Sequence, residues 1–344
     1  MSTDNATTKV CTGCKEDKNL DEYCKQKNGL YGLNSKCKKC RSEYGKKYCD
    51  TDRGFLIHLL KAGKRRIKAM SDTGKREDVC EFDLTLEDIL ALYEYQNGKC
   101  YYSNIPLVLK RFSNWQCSLE RLDPKMGYIL CNVALVCLEF NSPDQWTPEK
   151  YNEFIELLKT DHNPNIVNFD LEKKEKKFNN IKKYTENGIE YIHCNQCDKT
   201  KKRDEFTKKY GSGCKECISK YNKEYKTNPR GAIQNLMKDA KRRCNKRNIG
   251  FELTFDNMVE IFNEQNGLCA YSGIPLQFGS YLEKYWTISL ERIDTRKGYI
   301  TTNVCFIIHE LNTTDVSCRV NEEKENIGSG GWNKEKIAYL KTFI

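Results

Sequence analysis

The sequence predicts an α+β chain made as a tandem duplication, with a small cysteine-bound module, a helical segment and a compact core in each half. Three observations carry that reading. Two quartets of cysteines recur in the same order, one near each half's start. Ser118–Asn141 (SLERLDPKMGYILCNVALVCLEFN) and Ser289–Asn312 (SLERIDTRKGYITTNVCFIIHELN) are near-copies, with ten of their first sixteen positions identical. Between quartet and copy, each half also repeats a basic run and a capped helix. One unit used twice explains all three. The implied boundaries are 1–50 and 51–160 for the first module and core, 161–189 for a linker, and 190–227 and 228–344 for the second pair.

Composition narrows the function classes. The 344 residues carry a formal net charge of +10 with 58 Lys and Arg, and a mean hydropathy of −0.76. That balance suits a chain that meets a polyanion. No apolar run reaches the length of a membrane span, and the polar start MSTDNATTKV has no signal-peptide core. Nineteen cysteines, an odd number with eight in C-x2-C pairs, fit metal sites in a reducing compartment, cytoplasm or nucleus, better than disulfides.

In chain order, the first element is Cys11, Cys14, Cys37 and Cys40, spaced C-x2-C-x22-C-x2-C. Its counterpart is Cys194, Cys197, Cys214 and Cys217, with sixteen residues between the pairs. Thiolates two residues apart can grip one ion from a tight turn, and two such turns close a tetrahedral Zn–S4 shell. A closed shell has no open position, so two structural Zn²⁺ ions are expected. Substitution of His193 for one thiolate is a lesser alternative.

Each quartet leads into a basic, tyrosine-bearing helix (RSEYGKKY, ISKYNKEY). Next come RGFLIHLLKAGKRRIKAM and RGAIQNLMKDAKRRCNKR, which set apolar residues on one helix face and cations on the other. Lys64, Arg65 and Arg66, with Lys241, Arg242 and Arg243, are the predicted phosphate contacts. Thr85 and Thr254 are predicted N-caps, with a capping box at Asp88 and a weaker partner in Asn257. Their helices should stop at Asn97-Gly98 and Asn266-Gly267. CYYSNIPL and CAYSGIPL follow.

The repeated stretch itself reads as a strand over Trp286–Ile293, a polar turn to Gly298, a brief second strand at Tyr299 and Ile300, then a helix. Asn303 is its predicted N-cap and Val304–Leu311 its apolar run. That arrangement would bring Glu291 and Asn312 together. A carboxylate and an amide oxygen meeting at one point make a hard site suited to Mg²⁺ or Mn²⁺.

With these residues in view, the stretch resembles the ββα-metal core of the HNH (His-Me finger) endonucleases, in the branch similar to endonuclease VII. The cysteine modules resemble those that precede such cores in phage and large-virus proteins. The resemblance implies that Glu120 and Glu291 are acidic metal ligands, Asn141 and Asn312 their amide partners, and Asn132 and Asn303 the residues that fix the loop. It implies a divalent cation on the scissile phosphate. The family's general-base His falls at Arg121 and Arg292, and arginine keeps its proton while able to clamp phosphate. His309, Tyr299, Asp294 (Asp123 in the first copy) or metal-bound hydroxide are the replacements for that base, and Leu138 stands opposite His309. Relatives hold a zinc through C-x2-C here, whereas Ser103, Ser272 and Ile308 replace three cysteines, so no zinc is expected in the cores.

The expected function is therefore a metal-dependent DNA endonuclease, with a non-catalytic DNA-binding or genome-packaging protein as the alternative. RNA or branched DNA is a further candidate partner. The lysine- and asparagine-rich linker carries no chemistry, and IGSGGW should be a loop before a short terminal helix.

Overall fold

The computed structural model describes residues 7–72, 81–141, 146–167, 169, 182–207, 213–280, 282–313 and 331–344. Most of the lysine-rich linker, the loop before Trp332, and Cys80 and Cys318 lie outside them. The chain divides into two compact units, Met1–Tyr151 and Asn152–Thr313 with Gly331–Thr342. No helix among the described residues is long and apolar enough to cross a membrane.

In the first unit, β1 (Thr8–Val10) pairs antiparallel with β2 (Asp17–Asn19). Similarly, β3 (Tyr23–Lys25) pairs with β4 (Leu33–Cys37). The two hairpins are too short to bury a core of their own. They are tied instead by Lys9, whose ammonium donates to the carbonyls of Leu33 and Asn34 at 3.3 and 2.9 Å, and by the Tyr23 hydroxyl on the Lys9 carbonyl at 2.6 Å. Cys37 ends β4 and caps α1 (Lys38–Cys49), accepting from the Cys40 N–H. The basic helix α2 (Asp52–Asp72) follows. Gly54 is needed where the two meet, since a Cβ there would run into the Tyr48 carbonyl.

The core of the unit begins at β5 (Phe82–Asp83) and the capped helix α3 (Leu86–Tyr95), which ends at Asn97 and Gly98 in left-handed conformation. Then come β6 (Cys117–Arg121), β7 (Tyr128–Ile129), β8 (Val133–Cys137) and α4 (Pro148–Lys159). Strands β6 and β8 form an antiparallel hairpin, and β7 runs parallel to β5. Phe140 packs edge-on against Trp146 and Tyr151 behind the hairpin. The division between units falls inside α4, earlier than the expected boundary at 160. Phe154, in its second half, stacks on Trp286 at 5.5 Å within unit two.

Unit two opens with a three-stranded antiparallel sheet of β9 (Lys183–Glu186), β10 (Ile189–Cys194) and β11 (Lys199–Lys202). Helices α5 (Lys215–Thr227), α6 (Pro229–Arg247) and α7 (Phe255–Glu264) follow. They lead to the hairpin of β12 (Ile288–Arg292) and β13 (Val304–Ile308), and to α8 (Lys334–Lys341). Part of the expected linker belongs to this core: Phe169 meets Phe262 edge-on at 5.2 Å, and Asn165 donates to the Leu276 carbonyl. Asn257 forms as complete a capping box with Thr254 as Asp88 does with Thr85, so the weaker second cap expected from sequence is corrected.

The largest correction concerns Val304–Leu311. It is not a helix: Val304–Ile308 is a fully buried strand in register with Ile288–Arg292, and only His309–Leu311 makes a 3-10 turn. The first copy agrees, with Val133–Cys137 wholly buried on β6. A short apolar run covered on both faces has no period that separates helix from strand, and its β-branched residues favour the strand. Asn303 accordingly caps no helix; it closes the 3-10 turn Thr301–Asn303.

Candidate metal and nucleic-acid sites

The cysteine quartets form as their spacing implies. In each, one sulfur atom per residue lies within 4.8 Å of the others: Cys11, Cys14, Cys37 and Cys40, then Cys194, Cys197, Cys214 and Cys217. Tetrahedral bonds of about 2.3 Å put zinc-bound sulfurs roughly 3.8 Å apart, and Cys194 and Cys217 are separated by 3.9 Å. Burial opposes ionisation of Cys11 and Cys194, yet surrounding N–H groups, among them those of Cys37 and Cys214, outweigh it and bring both thiols to about 6. The N–H donors come from tight turns at the first cysteine of each pair, so the backbone itself favours the thiolate. Each quartet could hold one structural Zn²⁺. His193 stays outside, bonded to Asp198 at 3.1 Å. The described cysteines are all thiols.

The two hairpins share one polar arrangement. On a strand, residues two apart project to the same face, so Ser289 and Glu291 share a side of β12. Asn312 reaches back to that side, its Nδ2 donating to Ser289 Oγ at 2.9 Å and to the Leu290 carbonyl at 3.1 Å. Asn141 donates to Ser118 Oγ and the Leu119 carbonyl, both at 2.8 Å, on the side of β6 that carries Glu120. With Nδ2 spent on these bonds, the amide oxygen is the end that remains for a ligand. The serines were not anticipated, although each opens its repeat.

Burial pushes Glu120 and Glu291 up to about 7. Arg121 and Arg66 oppose the shift at Glu120, and Arg292 and Arg243 oppose it at Glu291. Arg66 and Arg243 are exposed, as expected of a phosphate-facing surface, while their charge also reaches the carboxylates, and Arg66 Nη1 donates to the Tyr128 hydroxyl at 3.4 Å. Lys64, Arg65 and Lys241 are exposed likewise, and Arg242 is exposed but paired with Asp239 at 3.1 Å.

The remaining expected residues brace the turn. Arg292 donates through Nη1 to the carbonyls of Thr295 and Lys297, both at 3.0 Å, and lies over the Tyr299 ring. Arg121 does the same to Pro124 and Met126. Asp294 bonds the Arg296 guanidinium and N–H, which hold its carboxyl below the usual range, and Asp123 accepts from the Lys125 N–H. Asn303 and Asn132 fix the loop, each bonding both backbone groups of the aspartate nine residues earlier.

His309 lies four residues beyond Cys305, the partner of Glu291 on the ladder, and its N–H bonds the Thr287 carbonyl at 2.7 Å. At about 3.3 Å per residue its backbone is roughly 13 Å along the strand from Glu291. His309 does lie one turn before Asn312, whose N–H bonds its carbonyl at 3.0 Å, but that turn is a 3-10 turn at a strand end and not part of the expected helix.

Other repeated polar residues escaped sequence reasoning. Gln96 and Gln265 each bond both backbone groups of a β8 or β13 residue, Leu135 or Phe306, joining α3 and α7 to the hairpins. Glu139 and Glu310 are buried and accept from the Trp115 and Trp286 N–H groups, each at 3.0 Å. Their signal was visible as matched positions in the two copies. Among the described residues, only the cysteine quartets gather three or more His, Cys, Asp or Glu at metal-binding distance.

Fold and sites together define a twice-built α+β protein with two four-cysteine clusters of zinc-module type, each followed by helices and a buried hairpin. No family model matches the chain, and no curated protein or solved structure matches it.

Proposed function

We propose that the chain is a metal-dependent DNA endonuclease, hydrolysing phosphodiester bonds at Glu120 with Asn141 and at Glu291 with Asn312. The observation that carries this is the bond from Asn312 to Ser289, repeated from Asn141 to Ser118. It holds an amide on the glutamate's face of the strand, in both copies. One carboxylate and one amide oxygen are hard donors that fit Mg²⁺ or Mn²⁺ with water completing the shell. The buried carboxylate's reluctance to ionise also fits a site that a cation would relieve.

Such a cation supplies Lewis-acid stabilisation of the phosphate and acidifies the water that attacks it. The protein's share is positioning and charge. Glu291 and Asn312 would hold the cation, Glu291 as a carboxylate and Asn312 through the amide oxygen that its bonds to Ser289 and Leu290 leave available. Arg243 is exposed and its charge reaches Glu291, so it is the cation that would offer a phosphate oxygen a charge-assisted bond. Arg292 keeps the turn closed and accepts no proton. The cysteine modules act as rigid mounts for α1 and α5, and the exposed cations of α2 and α6 meet the DNA backbone without reading sequence.

A second reading, a DNA-binding protein that no longer cuts, is favoured by the brace role of Arg121 and Arg292 at the position of the resembled family's base. Plasmid cleavage with titrated Mg²⁺ or Mn²⁺ separates the two. The endonuclease reading expects nicking by the wild type, about half that rate in Glu291→Ala or Glu120→Ala since the other copy remains, and a loss of at least about a hundredfold in the double variant. Full cleavage by the double variant would overturn the site. DNA binding without any cleavage would leave the second reading.

A further inference from the structure

A groove in unit one lies outside the hairpin site. It has a volume of about 530 Å³ and is bounded by Tyr48 of α1 and by Ile57, His58, Lys61, Lys64 and Arg65 of α2. It exists because Gly54 lets α2 start against the end of α1. Tyr48 of α1 offers an aromatic ring, and the facing side of α2 sets Ile57 and His58 one turn before Lys61 and two before Lys64 and Arg65, so flat or apolar surface and cations adjoin.

Those cations are held in place without being neutralised. Lys64 lies over the Phe82 ring at 5.4 Å, and Arg65 Nε folds back onto the Lys61 carbonyl at 3.3 Å. Among the described residues, none of the three has a carboxylate within ion-pairing distance. Arg111, whose charge also reaches His58, is outside the groove's lining and pairs with Asp50 at 4.0 Å. The second copy lacks this character. There Asn235 stands in place of His58, and Gln234 in place of Ile57 accepts from the Tyr225 hydroxyl. Asp239, in place of Ala62, pairs with Arg242.

We propose that this groove binds a nucleotide, with its phosphate on Lys61, Lys64 and Arg65 and its base against Tyr48, Ile57 and His58. A pocket of this volume suits a ligand of that size. Uncompensated cations beside an aromatic wall match a phosphate joined to a flat ring. A free nucleotide and the phosphorylated end of a DNA strand share this chemistry. The inference stands on the groove's own residues, so binding by a chain that cuts no DNA would support it while the cleavage reading fell alone.

The test titrates the full-length, zinc-loaded chain with deoxyadenosine 5′-monophosphate, deoxyadenosine, inorganic phosphate and a 5′-phosphorylated tetranucleotide. Calorimetry gives affinity, and the His58 ring resonances report the place. The monophosphate should bind saturably and shift His58. Deoxyadenosine and phosphate should each bind at least about tenfold more weakly. Lys61→Ala with Arg65→Ala, and separately Tyr48→Ala, should weaken the monophosphate at least about tenfold while zinc content stays at the wild-type value. Equal affinity for monophosphate and tetranucleotide identifies a free nucleotide, and a tighter tetranucleotide identifies a strand end; either supports the groove. No saturable binding, an unshifted His58, phosphate binding as tightly as the monophosphate, or unchanged affinity in the variants would overturn it.

Discussion

Asn303 clasps Asp294 by both backbone groups, accepting from its N–H at 2.8 Å and donating to its carbonyl at 3.0 Å. A third bond, from Nδ2 to the Gly298 carbonyl at 2.9 Å, closes the turn. Asn132 repeats the set on Asp123 and Gly127. Since Asn303 is only 3% exposed, removal of its amide leaves buried groups without partners. Asn303→Ala should cost on the order of 2–3 kcal/mol, measured by chemical denaturation. It should also lower divalent-cation affinity, because the turn holds the end of β12. Asn303→Asp keeps the acceptor and loses the donors, so it should fall between wild type and alanine.

Zinc content should be two ions per chain, one for each quartet. Cys37→Ala removes a ligand and the α1 cap together, so elemental analysis should drop to one ion and the first module should become protease-sensitive. Cys214→Ala should do the same to the second module. Chelation of the wild type should unfold both modules, because the small buried cluster of each is built around its cysteines.

The stability of the chain without added Mg²⁺ or Mn²⁺ should fall as pH rises. An unfolded glutamate titrates near about 4.3, whereas burial holds Glu120 and Glu291 at about 7. Between those values the folded chain keeps protons that the unfolded chain has released, so folding is favoured at the lower pH. That contribution is complete below the unfolded value and is lost as pH rises through the folded one. The thermal midpoint should therefore decline from about pH 5 to about pH 8, and a Glu120→Gln, Glu291→Gln variant should show a flatter profile.

Backbone contact by the basic helices has its own signature. Replacing Lys64 and Arg65, or Lys241 and Arg242, by alanine should weaken duplex binding to all sequences alike. Each lost phosphate contact should reduce the slope of log affinity against log salt by roughly 0.9. An unchanged slope would return those side chains to ordinary solvated surface.

Much of the architecture was legible in the sequence because it is written twice. The quartets, the capped helices and their Asn-Gly stops rest on local rules, spacing for thiolates and φ for the left-handed turns, and all of them form. The second strand was not legible. VCFII and VALVC are buried on both faces, so no alternation marks them, and a helix is the reading their apolar run invites. The partners of the carboxylates were hidden for a related reason. Ser289 meets Asn312 only through hairpin pairing, and Arg243 reaches Glu291 only through the packing of α6 on β12. Such neighbourhoods, a bond in the first case and a charge brought within range in the second, depend on tertiary geometry that no spacing rule encodes.

The central claim is that each buried glutamate, with the asparagine on its face of the strand, takes a divalent cation. Mn²⁺ binding to the zinc-loaded chain, followed by electron paramagnetic resonance, tests it most directly. Wild type should bind two Mn²⁺ ions per chain, one for each of the two glutamate–asparagine pairs; Glu120→Gln or Glu291→Gln should bind one, and the double variant none. Undiminished Mn²⁺ binding by the double variant would contradict the account.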